Sequence, residues 1–287
     1  MVRNFTHRLR FYVSSTSYEK EYREIDTIAR PTQRTSTGAT AQRNSSLRNR
    51  NSDCAVILTV HNHIEKFGLP CLQSVLKHSG DARVYVYDNE TTDPKIEDLR
   101  KLVDSRSEVE FIRIDDQKAF GGLTGTWNDG IRRARERGLS KVVLLNHDVI
   151  VDDTWANFLQ AIESDFCIYG PLTNRPGGGR RYRKLQMAEG PKFKGLRSTE
   201  ILMGFCMGFT LGRPEIKLFD DWRFFNPELP FGNNEYDIQK RMKMRSTKAA
   251  FYIVTDSWVF HHLNMGWKDS PRYMDPHGPT TMDPNLI

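Results

Sequence analysis

The chain has 287 residues, 38% of them hydrophobic, which is enough for one large domain or two small ones with a full core. No apolar run approaches the roughly 20 residues that span a bilayer, and "MVRNFTHRLRFYV" at the start lacks the apolar centre of a secretory leader, so a cytoplasmic protein is expected. The net charge of +6 belongs to residues 1–52, where ten Lys/Arg face four Asp/Glu; the rest carries 32 of each sign, which disfavours a nucleic-acid-binding body.

Residues 27–52 are rich in Ser, Thr, Arg, Gln and Asn and have little to bury, so residues 1–52 read as a basic, largely flexible tail and linker. Peripheral contact with an anionic membrane through that tail is one expectation, and a solvated tail is the plainer one. From Cys54 the texture changes. "CAVILTV" (54–60) is a short apolar run rich in β-branched residues, the mark of a buried parallel strand. A helical pattern follows at about 64–79. Further strands are predicted at 82–89, 109–115, 141–146 and 165–170, with helices at about 94–105, 125–137 and 153–164 between and after them. This alternation predicts an α/β fold with an open, mostly parallel sheet flanked by helices. The four cysteines (Cys54, Cys71, Cys167, Cys206) form no C-x-x-C pair and are expected as buried, reduced thiols.

Ligands of open α/β sheets gather at the carboxyl ends of the strands. Here strand one ends in Thr59-Val60-His61-Asn62, strand two in Asp88-Asn89-Glu90-Thr91-Thr92-Asp93, and strand four in Asn146-His147-Asp148. Three polar ends in one half of a chain predict one crevice. Asp93, just before Pro94, fits a helix start better than a pocket. The segment "FGGLTGTWNDG" (120–130) is neither a G-x-x-x-x-G-K-[ST] phosphate loop nor a G-x-G-x-x-G fingerprint, which disfavours P-loop ATPases and nicotinamide enzymes.

Six blocks in order carry a family resemblance: "VILTVHN", "VYVYDNETTD", "AFGGLTGTWNDGI", "VVLLNHDVIV", "NNEYDIQKRM" and "WVFHH". Together they resemble glycosyltransferase family 2, of the GT-A fold, and most closely its rhamnosyltransferase-like branch with an LLN-x-D element. The resemblance implies a single GT-A domain over 53–287, with a donor half at about 54–170 and an acceptor half at about 171–287. It implies an inverting, metal-dependent transfer of a hexose or deoxyhexose from a UDP-, dTDP- or GDP-linked donor to a hydroxyl of a glycan or other glycoconjugate, and no nucleic-acid partner. In this reading Thr59, His61, Asn62, Asp88, Asn128 and Asn146 bind the donor nucleotide, and Gly122 and Gly204 make room for its sugar. Asp148 holds Mn2+ or Mg2+, with His262 slightly preferred over His261 as a further ligand and the other ring expected against the late tryptophans. Glu235 matches the base that removes the acceptor proton, with Asp237 beside it. His147 is expected to be a bystander.

Plainer readings accompany several of these. Asn233 or Asn234 suits a helix cap, and Gly204 and Gly208 suit close packing in a core strand over 201–213. The aromatics of 220–231 suit either an acceptor wall or the core. "RPGGGRRYRKLQ" (175–186) reads as a mobile loop. Asn at 146 and 234, where carboxylates are usual, also allows a catalytically inactive protein of the same fold that binds nucleotide sugars or glycans.

Overall fold

The computed structural model describes residues 51–177, 184–212 and 224–262. Strand β1 (Cys54–Val60) is buried at all seven positions because parallel neighbours flank it and helices cover both faces. It pairs with β2 (Arg83–Asn89) on one side and β4 (Lys141–Asn146) on the other, and β2 pairs with β3 (Val109–Ile114), all in parallel. The alternation along these strands separates two apolar layers. Val56, Leu58, Val84 and Val86 face α1 (Leu69–His78) and α2 (Ile96–Asp104) through Leu72, Val75, Leu99 and Val103. Ala55, Ile57, Tyr85 and Tyr87 face α4 (Gly122–Glu136) through Trp127, Ile131 and Ala134; a short helix, α3 (Gln117–Phe120), precedes it. Each fully buried aliphatic side chain in these layers contributes about 1.5–3 kcal/mol, so this half is the rigid base of the molecule.

Beyond β4 the pairing changes direction. After β4 the sheet continues through Cys206–Thr210, Cys167–Thr173, Ala250–His261 and Val149–Val151, with Leu196–Thr199 also on Ala250–His261. β4 runs antiparallel to β8 (Cys206–Thr210), and β8 meets β6 (Cys167–Thr173) at Tyr169 and Gly208. β6 is parallel to the long β9 (Ala250–His261), which also pairs antiparallel with β5 (Val149–Val151) and β7 (Leu196–Thr199). Helix α5 (Trp155–Ala161) follows β5, and α6 (Asn234–Arg245) precedes β9.

The four predicted strands of the first half match to within a residue, as expected of long buried apolar runs. The fifth lies at Cys167–Thr173 rather than 165–170, and the strand expected over 201–213 is confined to Cys206–Thr210. β5 and β7 were not foreseen: one has three residues, and the other has no buried face to leave a pattern. All four cysteines are buried and free. The tail at 1–50 and the basic run at 178–183 lie outside the described residues. Among the described residues no helix is long and apolar enough to cross a membrane.

Candidate active site

The loops after β1 and β2 are bound to each other. Asn62 and His63 both take left-handed backbone (φ 52° and 48°), which turns the chain sharply toward the second strand. There the Asn62 side-chain oxygen accepts from Thr92 N (2.9 Å) and Thr91 Oγ1 (2.8 Å), while Asn62 N donates to Thr91 Oγ1 (2.7 Å). Asp93 accepts from Lys95 N at 2.9 Å, as a helix-start residue should, and its other oxygen accepts from Ile64 N at 2.7 Å. His61 Nδ1 lies 2.7 Å from the Asn89 carbonyl and so donates to it. Asp88 is fully buried. It accepts from Thr91 N (3.0 Å) and from the guanidinium of Arg113, its register partner on β3. Burial pushes its carboxyl up, and Arg113 and the Thr91 amide pull it back.

The end of β4 is different. Asn146 is half-buried; its amide donates to the Phe205 carbonyl (3.0 Å), and its carbonyl takes the Cys71 thiol. The His147 ring donates to the Thr59 carbonyl and packs edge-on to Phe67. Burial pushes its pKa down to about 4, so it is neutral in ordinary buffers. Asp148 directly precedes β5, whose first residue, Val149, sits opposite His261. His261 Nε2 lies 3.3 Å from Asp148 Oδ2, both side chains 6% exposed. Its Nδ1 lies 2.5 Å from the Arg175 carbonyl. A carbonyl only accepts, so Nδ1 carries a proton, and Nε2 is the ring nitrogen that faces the carboxylate. The sequence reading slightly preferred His262, whose ring is also within reach of the Asp148 charge. The His262 ring packs against Phe67 and Phe260, its amide donates to the Asp148 carbonyl (2.9 Å), and burial lowers its pKa. His261 does not rest on a tryptophan; it stacks on Phe205 with ring centroids 4.9 Å apart.

The third contribution comes from α6. Asn233 holds the cap position in left-handed conformation without a side-chain cap bond. Asn234 is buried and donates to Thr124 Oγ1 (3.0 Å), fastening α6 to α4. Glu235, in the first helical turn, rests its carboxyl against Gly204, where an added Cβ would come within 3.2 Å of Glu235 Cδ. Burial raises its pKa. Asp237 is held by Arg241, with Nε at 2.6 Å and Nη2 at 2.5 Å from one carboxylate oxygen. The dipeptide Gly204-Phe205 therefore joins three parts of the site: Glu235 lies on the glycine, His261 on the phenylalanine ring, and Asn146 on its carbonyl.

Other expected residues sit elsewhere. The Asn128 amide is committed to the backbone of 224–225, accepting from both amides and donating to the Phe225 carbonyl. Phe224 and Phe225 belong to the core, with Phe225 packed on Trp127. Gly122 has φ +65° and lies beneath Pro230 and Phe231, where a Cβ would come within 2.5 Å of the Pro230 carbonyl; its neighbour is the chain's own loop. Gly208 packs on Phe158 and Ile162 in the core. Sequence reasoning missed Arg113 and ranked His261 just behind His262. Strand alternation held both signals: Arg113 is in register with Asp88, and counting in twos from buried Val259 places His261 inward.

A family model described as "Glycosyl transferase family 2" matches residues 55–216. The chain belongs to glycosyl transferase family 2. Among solved structures, GalNAc-T7 with UDP, GalNAc and Mn2+ superposes with a TM-score of 0.55 at 14% identity, over 72% of this chain and 43% of that one. The mannosyltransferase PcManGT of Pyrobaculum calidifontis, with GDP-Man and Mn2+, gives 0.54 at 14% identity, over 78% of this chain and 64% of that one. The chain thus spans less than two thirds of either, and the likeness is one of fold: this family 2 member has the GT-A fold. No curated protein matches it.

Proposed function

We propose that the chain is an inverting, metal-dependent glycosyltransferase that moves a sugar from a nucleoside-diphosphate donor to a hydroxyl of a glycan or other glycoconjugate. The observation that carries this reading is the meeting of Glu235, His261 and Asn146 on Gly204-Phe205, with Asp148 3.3 Å from His261. The donor set suits a borderline-hard cation: one carboxylate and one imidazole nitrogen whose tautomer is fixed from behind. Among the described residues no three His, Cys, Asp or Glu side chains group as a metal site. Asp148 and His261 would hold Mn2+ or Mg2+, which supplies positive charge to the diphosphate as the nucleotide departs.

The chain's own groups perform the rest. Glu235 takes the proton of the acceptor hydroxyl, whose oxygen forms its bond to the anomeric carbon from the face opposite the diphosphate. The bond from that carbon to the diphosphate oxygen breaks, the electron pair leaves with the nucleoside diphosphate, and the configuration inverts. A carboxyl held above its usual range by burial is a better proton acceptor near neutral pH. Thr59, His61, Asn62 and Asn146 line the nucleotide end, with Asp88 bracing it through Arg113. Gly204 is the donor-sugar floor, and Asp237 orients the helix start through Arg241.

We further place the chain in the rhamnosyltransferase-like branch on its Asn146-x-Asp148 element, as a hexosyl- or deoxyhexosyltransferase. Residues 53–287 form one catalytic domain behind the basic tail. The four free thiols suit the reducing cytoplasm. The test is a thermal-shift screen with UDP, dTDP and GDP, each with and without Mn2+. One nucleotide should stabilise the protein only when Mn2+ is present, and that base names the donor. Stabilisation indifferent to Mn2+ contradicts the metal assignment. Donor binding with no turnover over a panel of acceptors selects the inactive, sugar-binding reading instead.

A further inference from the structure

Five large hydrophobic side chains are exposed among the described residues, and three of them (Met187, Phe193 and Leu196) fall within ten positions. Residues 191–198 are exposed without interruption. Phe193, at the tip, is 93% exposed and stands between Lys192 and Lys194; Leu196, 50% exposed, is followed by Arg197. The backbone beneath them is firmly held. Lys192 N donates to the Thr255 carbonyl (2.7 Å), and Thr255 N donates to the Gly195 carbonyl (3.0 Å). Thr255 Oγ1 lies within hydrogen-bond distance of the Phe193 (2.6 Å) and Gly195 (2.9 Å) carbonyls. From Leu196 the chain enters β7 and pairs with Val254 of β9. Phe193 is thus displayed on an anchored turn, away from any core.

We propose that the turn at 191–197 docks on an anionic lipid bilayer. A projecting aromatic ring is suited to the headgroup layer, where it buries its face among acyl chains. Lysines beside it lay their apolar stems along that surface and keep their charges among lipid phosphates. The charge agrees: residues 187–199 carry three basic side chains and one acidic one. A convex, basic tip with one ring at its apex matches a deformable anionic surface better than a rigid protein partner, which would need a pocket of its own. This surface belongs to the folded body and is separate from the basic tail. It does not depend on the reading of the active site.

The experiment is co-sedimentation of the full chain with vesicles of phosphatidylcholine alone or with about 30% phosphatidylserine. Wild type should partition onto the anionic vesicles. Phe193→Ser with Leu196→Ser, which leaves every charge of the tail in place, should weaken that partition at least about fivefold. Its melting temperature should be unchanged, because both side chains are exposed. Lys192→Glu with Lys194→Glu should act in the same direction. Unchanged partition of either variant overturns the proposal, as does wild-type binding that is absent or equal on neutral vesicles. A serine variant that loses self-association in sedimentation velocity but keeps its lipid partition also overturns it, and assigns the turn to contact with a second copy.

Discussion

Two strand-end regions of this molecule have similar polar content and opposite uses. After β1 and β2, the polar groups satisfy one another: Asn62 with Thr91 and Thr92, Asp93 with Ile64 and Lys95, Asp88 with Arg113. After β4 and β9, Asp148 and His261 face each other at 3.3 Å, and Glu235 sits on bare glycine with its carboxyl raised by burial. Polar density alone does not mark chemistry. The first region is a stapled wall, and in our account the second carries the reaction.

The largest effect that would break this contrast is on Glu235. Glu235→Gln should lower kcat for sugar transfer by about 10²–10⁴-fold with donor KM little changed. Equal loss from Asn62→Ala would erase the distinction between wall and site. Next come the two histidines: His261→Ala should raise the Mn2+ concentration needed for half-maximal activity by about 10–100-fold, while His262→Ala should leave that requirement near wild type. The wall should answer in stability. Asn62→Ala or Arg113→Met should cost about 1–3 kcal/mol in urea unfolding, with the smaller end expected for Arg113 because it is partly exposed.

The smallest effect is a pH dependence. Burial holds the Glu235 carboxyl above its usual range, so between the unfolded and folded pKa values the folded protein keeps a proton that the unfolded chain has released. Stability therefore falls as pH rises through the folded-state pKa. Glu235→Gln removes that loss, so its melting temperature should exceed wild type at pH 8 and match it at pH 4. The reverse order at pH 8 would show that Glu235 is paired as an anion.

The sheet of the first half was legible because burial on both faces leaves no other pattern for "CAVILTV" or "KVVLLN". The family blocks also located both regions. Less visible was which polar groups are already partnered. The Asn128 side chain bonds to the backbone of 224–225, a contact across 97 positions that no local pattern shows. The pairing of Asp88 with Arg113, 25 positions apart, depends on the parallel register of their strands. Strand parity, which is local, turns His261 inward to face Asp148. β5 and β7 left no signal, since three residues or an exposed edge set no period.

In our proposal Asp148 is the metal-bearing carboxylate of the site. Calorimetric titration of the stabilising nucleoside diphosphate into wild type and Asp148→Ala, with and without Mn2+, tests it most directly, once circular dichroism has shown both to be folded. Mn2+ should tighten nucleotide binding in wild type and have no effect in Asp148→Ala, whose affinity should stay at the metal-free level. An equal Mn2+ enhancement in the two proteins would contradict it.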